Sequence, residues 1–389
     1  MSNCTLNFAF ANQERSYAVI EAACGTLVKP AATNRMYTVG PVDFQQDQEF
    51  RDDGQLRETA SRLASIKGKK LVGELSFGTY VKPSGTAGTA PEHDELFQCL
   101  MGTKDITPDT SVAYTLANQL DSFSLWVRKG HTVFAFRGVT VESAEFGIAG
   151  NEIAGINWGC KYMEQGYAGT CVAAGGAYVI GNTVITLPAG GVLLYTEGMY
   201  VELGDDDNGG DGYKIDSINF NLNTITLSTG LLTAVGSAPT VAPWYPAAGT
   251  EVGAPVDGKL GMVTVGGADA IVLSAKVTVK NNIKYYEDEK NNTWTAERFG
   301  RPTVREIEGD LTLFYMERGT SYWYRAEYQT SDALIIPAGN VAGSIMTLNV
   351  PYAEYRTPKL SGDEEFNQEI PFRAVASAAL NDEFSIVFT

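Results

Sequence analysis

The stretch GELSFGTYVKPSGTAGTAPEHDELFQCLMG, residues 73–102, joins a predicted strand to a predicted helix through a loop rich in glycine, serine and threonine. In its first nine residues Leu75, Phe77 and Val81 lie on one face, and Glu74 and other polar side chains lie on the opposite face. A period of two is typical of a strand with one buried face. The stretch therefore predicts an antiparallel sheet that covers a core.

The loop of this stretch can be compared with a phosphate-binding loop. That motif requires GxxxxGK[ST], but Gly85 and Gly88 are three residues apart and no lysine follows. Residues 89–92, TAPE, fit a capping box with proline in the first turn, and Gly102 is a typical helix end. The apolar face of this helix comprises Leu96, Phe97, Leu100 and Met101. We therefore predict a structural capped helix rather than an anion site.

Alternating segments recur along the chain. In SFSLWVRKG, Phe123, Leu125 and Val127 are predicted to lie on one face and Trp126 on the other. The following run, HTVFAFRGVTVESAEFGIAG, predicts two or three short strands broken at Gly138 and near Gly147. In NDEFSIVFT at the end of the chain, Phe384, Ile386 and Phe388 share a face. With 41 glycines, 19 tyrosines and 17 phenylalanines, the composition also favours strands and turns. The predicted fold class is mainly β with one or two short helices.

Length and charge exclude several classes of protein. The 389 residues suffice for two or three domains, each with its own core. The net charge of −17 argues against a surface that reads DNA, which needs clustered lysine and arginine. The N-terminus has no basic region followed by an apolar run, and no segment approaches 18 apolar residues. We expect neither a secretory signal nor a membrane span.

Five cysteines occur without CxxC spacing. They predict reduced core residues of a protein folded in the cytosol, not a disulfide framework or a zinc site. They are Cys4, Cys24, Cys99, Cys160 and Cys171.

An internal repeat organises the chain. Displaced by 236 positions, residues 59–77 align without a gap on residues 295–313, with identical residues that include Gly73/Gly309 and Leu75/Leu311. Residues 149–158 resemble residues 361–370 at a smaller offset. The second copy is shorter and lacks a counterpart of PSGTAGTAPEHDELF. Two blocks in the same order favour a duplicated β unit over chance similarity.

The repeat and a shift in composition predict three domains. A first β domain spans residues 1–172, a small inserted β-barrel spans 173–254, and a second β domain spans 255–389. Within the insert, residues 221–223 between apolar segments predict a hairpin. An insert of this kind is expected on the exterior of an assembly and to be dispensable for it, unless its excision gives insoluble protein.

Candidate catalytic and metal-binding residues are few. His93 and His131 are the two histidines of the chain, and neither stands in HExxH or His-x-His spacing, so both are predicted to be polar surface or turn residues. No GxSxG occurs, and a serine or cysteine triad has little histidine to draw on. The sequence predicts no catalytic, cofactor-binding or metal-binding residue, no cofactor, and a protein that is not an enzyme.

The acidic run GDDDNGGDG, residues 204–212, is the best candidate for a cation site. Asp205 and Asp207 fit the first two ligand positions of an EF-hand, but Gly209 stands where a third ligand is expected and Asp216 replaces the bidentate glutamate. A solvated turn is favoured, with weak calcium binding as the alternative. The acid clusters 52–53, 287–289 and 363–365 predict solvated turns or edge charges.

The segments GELSFGTYVKPSGTAGTAPEHDELFQCLMG and SLWVRKGHTVFAFRGVTVESAEFGIAGNEIAGINW resemble the major tail tube proteins of long, non-contractile-tailed bacteriophages. The resemblance covers most of the first copy and, more weakly, the second. It implies a β-sandwich flanked by a helix, whose inner sheets join into rings that stack into a hollow tube. It further implies a virion protein, assembled in the host cytoplasm, that contacts the tape measure, tail terminator and distal tail proteins. DNA would pass through the lumen without specific binding, along a negative wall that repels it.

A duplicated chain would build a pseudo-sixfold ring from three subunits, so we expect a trimeric ring rather than a hexamer. The charged, turn-rich segments 43–65 and 287–304 are expected to be arms between subunits, and the loop and helix after residue 81 to pack against neighbours. The alternative is an adhesion or glycan-binding protein in which Trp244 and Tyr245 of the insert stack on sugars, although VAPWYPAAG equally suits a proline-framed strand.

Overall fold

The computed structural model describes residues 13–52, 65–259, 261–286, 296, 298–316, 319, 321–362 and 365–389. These residues form a mainly β protein with antiparallel strands throughout, two α-helices and two 3₁₀ helices. The strands of the first half are β1 (Arg15–Ile20), β2 (Arg35–Met36), β3 (Val39–Gln45), β4 (Gln48–Arg51), β5 (Ile66–Lys70), β6 (Gly73–Tyr80), β7 (Gly102–Thr107), β8 (Ser111–Leu116), β9 (Phe123–Lys129), β10 (Thr132–Ala149), β11 (Gly155–Tyr162), β12 (Glu164–Ala168), β13 (Cys171–Val172) and β14 (Val184–Thr186).

The second half contains fifteen described strands and the shorter α-helix. The strands are β15 (Tyr200–Leu203), β16 (Tyr213–Asn219), β17 (Thr224–Leu227), β18 (Thr240–Pro243), β19 (Val263–Val265), β20 (Ala268–Ala270), β21 (Val272–Lys280), β22 (Lys284–Tyr286), β23 (Arg298–Gly300), β24 (Glu306–Phe314), β25 (Ser331–Ala338), β26 (Met346–Tyr355), β27 (Lys359–Ser361), β28 (Asn367–Ala374) and β29 (Ser385–Phe388). The α-helices are α1 (Asp94–Met101) and α2 (Ser321–Glu327), and the 3₁₀ helices are Ala32–Asn34 and Gly191–Leu194.

The chain forms two compact units. The first contains the described residues of Met1–Pro41, Phe123–Val139 and Tyr162–Thr250, and the second contains those of Val42–Ser122, Thr140–Lys161 and Glu251–Thr389. These units are defined by which residues contact one another, and this division does not test whether the chain is duplicated. The three domains therefore remain a prediction.

The first unit holds two sheets that share one core. One sheet has the order β2–β1–β9–β10–β12, to which β10 contributes residues 132–139. The other, formed by residues 171–243, has the order β13–β18–β15–β16–β17–β14. Tyr17, Trp126 and Val133 of the first sheet belong to the same buried cluster as Ile215 and Val241 of the second. The residues of the predicted insert therefore do not build a core of their own.

The second unit is built around a long sheet in the order β6–β11–β10–β21–β24–β28, to which β10 contributes residues 140–149. A second sheet has the order β7–β8–β29–β26–β25–β19–β20. Phe97 of α1 lies between the sheets, with ring centroids 5.6 Å from Trp158 and 5.2 Å from Phe388. The helix is thus part of a sandwich core.

Several predictions from local pattern are confirmed. Leu75 and Phe77 are buried in β6, as are Phe384, Ile386 and Phe388 at the end of the chain. All four residues of the predicted apolar helix face are buried, and α1 ends at Gly102 with φ 98°. The predicted hairpin joins β16 to β17, with Asn223 at φ 53°. Each of these features depends on spacing or on one residue in the left-handed region.

One strand prediction is wrong. Residues 132–149 form one strand, and Gly138, at φ 62°, only shifts its register against β9. Extended pairing with successive partners holds the strand together through both glycines. The side chains of β9 alternate between two faces as predicted, but both faces are covered, because Ser124 and Trp126 are as deeply buried as Phe123 and Leu125. Trp126 packs into the core shared by the two sheets of the first unit.

Two helix predictions also need correction. Residues 89–92 do not cap α1: the residue before the helix is His93, at φ 67°, without a side-chain capping bond. The Glu92 N–H instead donates to the Lys82 carbonyl, which places these residues in a loop. The second copy does have a helix after its first matched strand, because α2 follows β24. It is seven residues long and buries none of them.

Candidate assembly surface

The long sheet of the second unit has one buried face and one exposed charged face. In β24, Ile307, Gly309 and Leu311 point into the core and alternate with Glu306 and Glu308. The neighbouring strands repeat the pattern, so the outward-facing polar side chains of successive strands form one surface. It carries the acids Glu74, Glu142, Glu145, Glu306, Glu308, Asp310 and Glu369 and the bases Lys161, Lys276, Lys280, Arg356 and Arg373.

Opposite charges face each other across this surface. Lys276 lies opposite Asp310 and Lys280 opposite Glu306 in the register of β21 and β24. Lys276 Nζ is also 2.7 Å from Glu145 Oε2 on β10. Cross-strand pairs of opposite charge favour this register by a few tenths of a kcal/mol each. The face is therefore mixed in charge, with a small acidic excess compared with the −17 of the chain.

The strands of the long sheet occur in a repeated order. The first repeat block covers β6 and β24, which align Gly73 with Gly309, and the second covers the starts of β11 and β28. Correspondingly, β6 pairs with β11 and β24 pairs with β28. At Gly309 a Cβ would lie 2.2 Å from the Lys276 carbonyl oxygen and 2.5 Å from the Phe372 ring. Close approach of strands requires glycine at this position.

The repeat leaves one edge of the sheet open. In the first half Phe146 lies opposite Ile156 on β11 and opposite Val277 on β21, and it is fully buried. In the hairpin β27–β28, the residue that aligns with Ile156 is Gln368, and its cross-strand partner is Leu360. Leu360 is 48 % exposed, because among the described strands only β28 pairs with β27.

Two hairpins lie where the arms are predicted. Strands β4 and β5 pair on either side of residues 53–64, and β22 and β23 pair on either side of residues 287–297. Residues 53–64 and 287–295 lie outside the described part of the chain, as do 297 and acidic residues 363–364. The bases of both predicted arms therefore have the same structure, and their role between subunits remains a prediction.

The glycine loop that follows β6 is tied to its own unit. The Val81 N–H donates to the Ala154 carbonyl, Ala154 donates to Val256, and Val256 donates back to Val81. Further along, the Gly85 N–H donates to the Gly343 carbonyl over 2.9 Å. The loop thus connects distant segments of one subunit, and contacts with a neighbour remain a prediction.

His93 lies in a buried charged cluster, so its prediction as a surface residue is wrong. Its side chain is 1 % exposed and lies beside Glu92, at 3.8 Å from Nε2 to Oε1. Lys82 Nζ is 3.7 Å from Glu92 Oε2 and also pairs with Glu251. Burial first, and then the charge of Lys82, lowers the pKa of His93 to about 3. With this lowered pKa the histidine is neutral near pH 7. Burial raises the pKa of the neighbouring Glu92.

The remaining metal-site candidates form no site in the described residues. His131 is exposed in the turn between β9 and β10, as predicted. Asp205, Asp207 and Asp216 are exposed, and no cluster of three or more acidic, histidine or cysteine ligands occurs in the described part of the chain. Asp206 is buried instead. Burial alone would raise its pKa, but hydrogen bonds from Thr233, Tyr213 and Asn208 hold the pKa below its usual value.

The cysteines and the aromatic pair depart partly from expectation. Cys99 and Cys160 are buried, Cys171 is half-buried and Cys24 is exposed, so the core prediction is wrong for Cys24, and Cys4 lies outside the described residues.

Trp244 is 5 % exposed and its Nε1 donates to the Gly210 carbonyl, with Lys29 Nζ 4.3 Å from its ring centroid. Its ring is therefore not free to stack on a sugar.

Comparisons with known proteins add no assignment. No protein-family model matches the chain, and no curated protein matches it. In the described residues, neither helix has the length and apolar character needed to cross a bilayer. The charged sheet face and its open edge are therefore the features from which a function can be argued.

Proposed function

We propose that this chain is a structural subunit that polymerises through the edges of its long sheet into rings of a phage-type tail tube. The observation that carries the proposal is the repeated strand order of the long sheet, in which the two halves pair inside the chain while, among the described strands, the edge strand β27 has an unpaired side. Inside the chain, β10 of the first half pairs with β21 of the second half over residues 143–149 and 274–280. The same kind of edge is exposed at β27.

A second copy of the chain is the partner that this edge fits. An unpaired strand presents backbone donors and acceptors that another strand can satisfy. Inside the chain, the junction between β10 and β21 is an example of an edge strand of one half pairing with a strand of the other. Continued around an axis, two-copy subunits would close as a ring of three, with six similar sheets around a channel.

The mixed charges of the exposed face suit a channel wall. Basic residues on this face are opposed by acids on adjacent strands, which leaves no unbalanced basic patch to hold a phosphate backbone. We propose that this face lines the lumen and that DNA passes without specific binding. Contacts with other tail proteins, a virion location and assembly in the host cytoplasm belong to the same proposal.

The edge can be tested with Leu360→Lys. A lysine on an open edge opposes pairing with another strand, so concentrated variant protein should stay monomeric where the native protein forms rings or tubes. Val341→Lys is the matched control, since Val341 is 63 % exposed in a loop of the same unit. Sedimentation velocity and negative-stain imaging provide the measurements. Tubes formed equally by both variants would refute the edge assignment, and six identical peripheral knobs per ring would refute the trimer.

The adhesion alternative is not favoured by any observation at Trp244. Its indole is engaged by Gly210 and Lys29 within the subunit, so it cannot provide the stacking platform that the alternative requires. If the native protein stays monomeric at all concentrations, the proposal of a tube subunit fails.

A further inference from the structure

Two arginines in the first unit converge on one aromatic ring. Arg15 on β1 and Arg128 on β9 are direct cross-strand partners. Their guanidinium carbons lie 5.9 and 4.0 Å from the ring centroid of Tyr245. All three residues are half-buried, so they are ordered by their surroundings and still reach solvent.

The arrangement places two like charges together without a counter-ion. Like charges directly opposite on neighbouring strands destabilise a sheet. In the described part of the chain neither Arg15 nor Arg128 forms an ion pair, whereas the adjacent Lys129 pairs with Glu14. This is notable in a chain with 46 acids and 29 bases. The positions therefore hold positive charge that no ion pair among the described residues neutralises.

One acid, Glu202, acts electrostatically on this pair. Glu202 lies close enough to oppose the lowering of the pKa of Arg128, which burial and then Arg15 produce. The pKa of Glu202 is itself raised, first by burial and then by Asp207. In the described part of the chain Glu202 forms no ion pair with either guanidinium group.

The hydrogen-bond donors of the pair remain available for a ligand. Arg128 Nε donates to the Gly130 carbonyl over 3.0 Å, which fixes the plane of the guanidinium. Its terminal nitrogens and those of Arg15 have no acceptor among the described residues. We propose that Arg15, Arg128 and Tyr245 form a binding site for a compact oxyanion, a phosphate or carboxylate group. Planar guanidinium groups bind such oxyanions in a bidentate manner.

The same chemistry is offered by free phosphate and by the acidic groups of charged polysaccharides. The site lies in the first unit and the open edge β27 in the second, so the inference goes beyond the proposed function and does not depend on it. A variant of the arginine pair should leave ring formation unchanged.

Isothermal titration calorimetry at low salt tests the site with three probes: inorganic phosphate, glucuronic acid and neutral glucose. The native protein should bind at least one of the two anions and not glucose. Arg15→Gln and Arg128→Gln should each weaken anion binding by about tenfold or more, the size expected for a lost charged hydrogen bond. Lys129→Gln, which removes the same charge from an ion pair one residue away, should weaken it by less than about twofold. Binding of glucuronic acid alone would indicate a polysaccharide source, and binding of phosphate would indicate a phosphate group.

Two results would overturn the proposal. The first is a native protein that shows no binding of either anion and no rise in its unfolding midpoint beyond that in chloride of equal ionic strength. The second is equal weakening by all three variants, which would indicate general electrostatic attraction. Circular dichroism confirms that each variant is folded. Arg128→Lys keeps the positive charge but lacks the planar guanidinium group, so it should bind the anion more weakly than the native protein does.

Discussion

Replacing His93 tests the buried cluster before α1. Its backbone is at φ 67° and its side chain is 1 % exposed. Asparagine adopts this left-handed conformation more readily than most residues, so His93→Asn removes the titrating ring while preserving the turn. The variant therefore isolates the effect of a buried neutral histidine on stability.

The expected effect follows from the pKa. Because the pKa of His93 is lowered from 6.5 to about 3, between these values the unfolded chain binds a proton that the folded chain does not. The free energy of unfolding therefore falls as the pH drops below 6.5, by about 1.4 kcal/mol per pH unit. Between pH 7 and pH 5 the loss amounts to roughly 2 kcal/mol.

Glu92 acts in the opposite direction. Burial raises the pKa of its carboxyl group above 4.5, so the folded chain binds a proton more readily than the unfolded chain. Its contribution to stability is therefore present below pH 4.5 and is lost as the pH rises through the raised pKa of the folded chain. Only the difference between native protein and His93→Asn reports the histidine.

Hydrogen exchange of peptides covering α1, corrected for the pH dependence of intrinsic exchange, measures the opening free energy at pH 7 and pH 5. The native protein should lose about 2 kcal/mol more than His93→Asn over this interval. Glu92→Gln is the control and should retain the histidine effect. An identical pH dependence in native protein and His93→Asn would refute the assignment of a buried neutral imidazole.

Three further predictions concern packing and assembly. Excision of residues 173–250 should give insoluble protein, because Tyr17 and Trp126 would lose the core that covers them. Burial of each ring contributes about 4 to 6 kcal/mol to the free energy of unfolding. A soluble product with native circular dichroism would contradict this prediction. Gly309→Ala should destabilise the second unit by about 1–3 kcal/mol in urea unfolding, whereas Gly300→Ala, whose Cβ would lie 3.4 Å from its nearest neighbour, should cost less. Deletion of residues 47–64 should leave a soluble protein, and tubes in electron micrographs of that variant would exclude the arm.

Features encoded over a few residues were predicted well. Leu75 and Phe77 alternate with polar neighbours, Gly102 ends α1, and Asn223 allows the turn between β16 and β17. In each case the information is local, since it depends on a period of two or on a positive φ. The mainly β class follows from the same signals.

Features that depend on distant neighbours were missed. His93 lies in a polar stretch of sequence, but its side chain is buried beside Glu92, which pairs with Lys82. Alternation places Trp126 on the face opposite Phe123 and Leu125, but it does not show that a second sheet covers that face. No local pattern specifies which segment will cover a given face.

The sequence by itself determined strands, turns and an internal repeat, because backbone conformation and side-chain alternation are set by adjacent residues. Only the tertiary structure decided that Phe146 is enclosed by two strands while Leu360 is exposed on an open edge. It also decided that Arg15, Arg128 and Tyr245 converge. Phe146 and Val277, and the three residues that converge at Tyr245, are more than 100 positions apart in the sequence. The energies of these contacts depend on burial and distance, which exist only after the strands have paired.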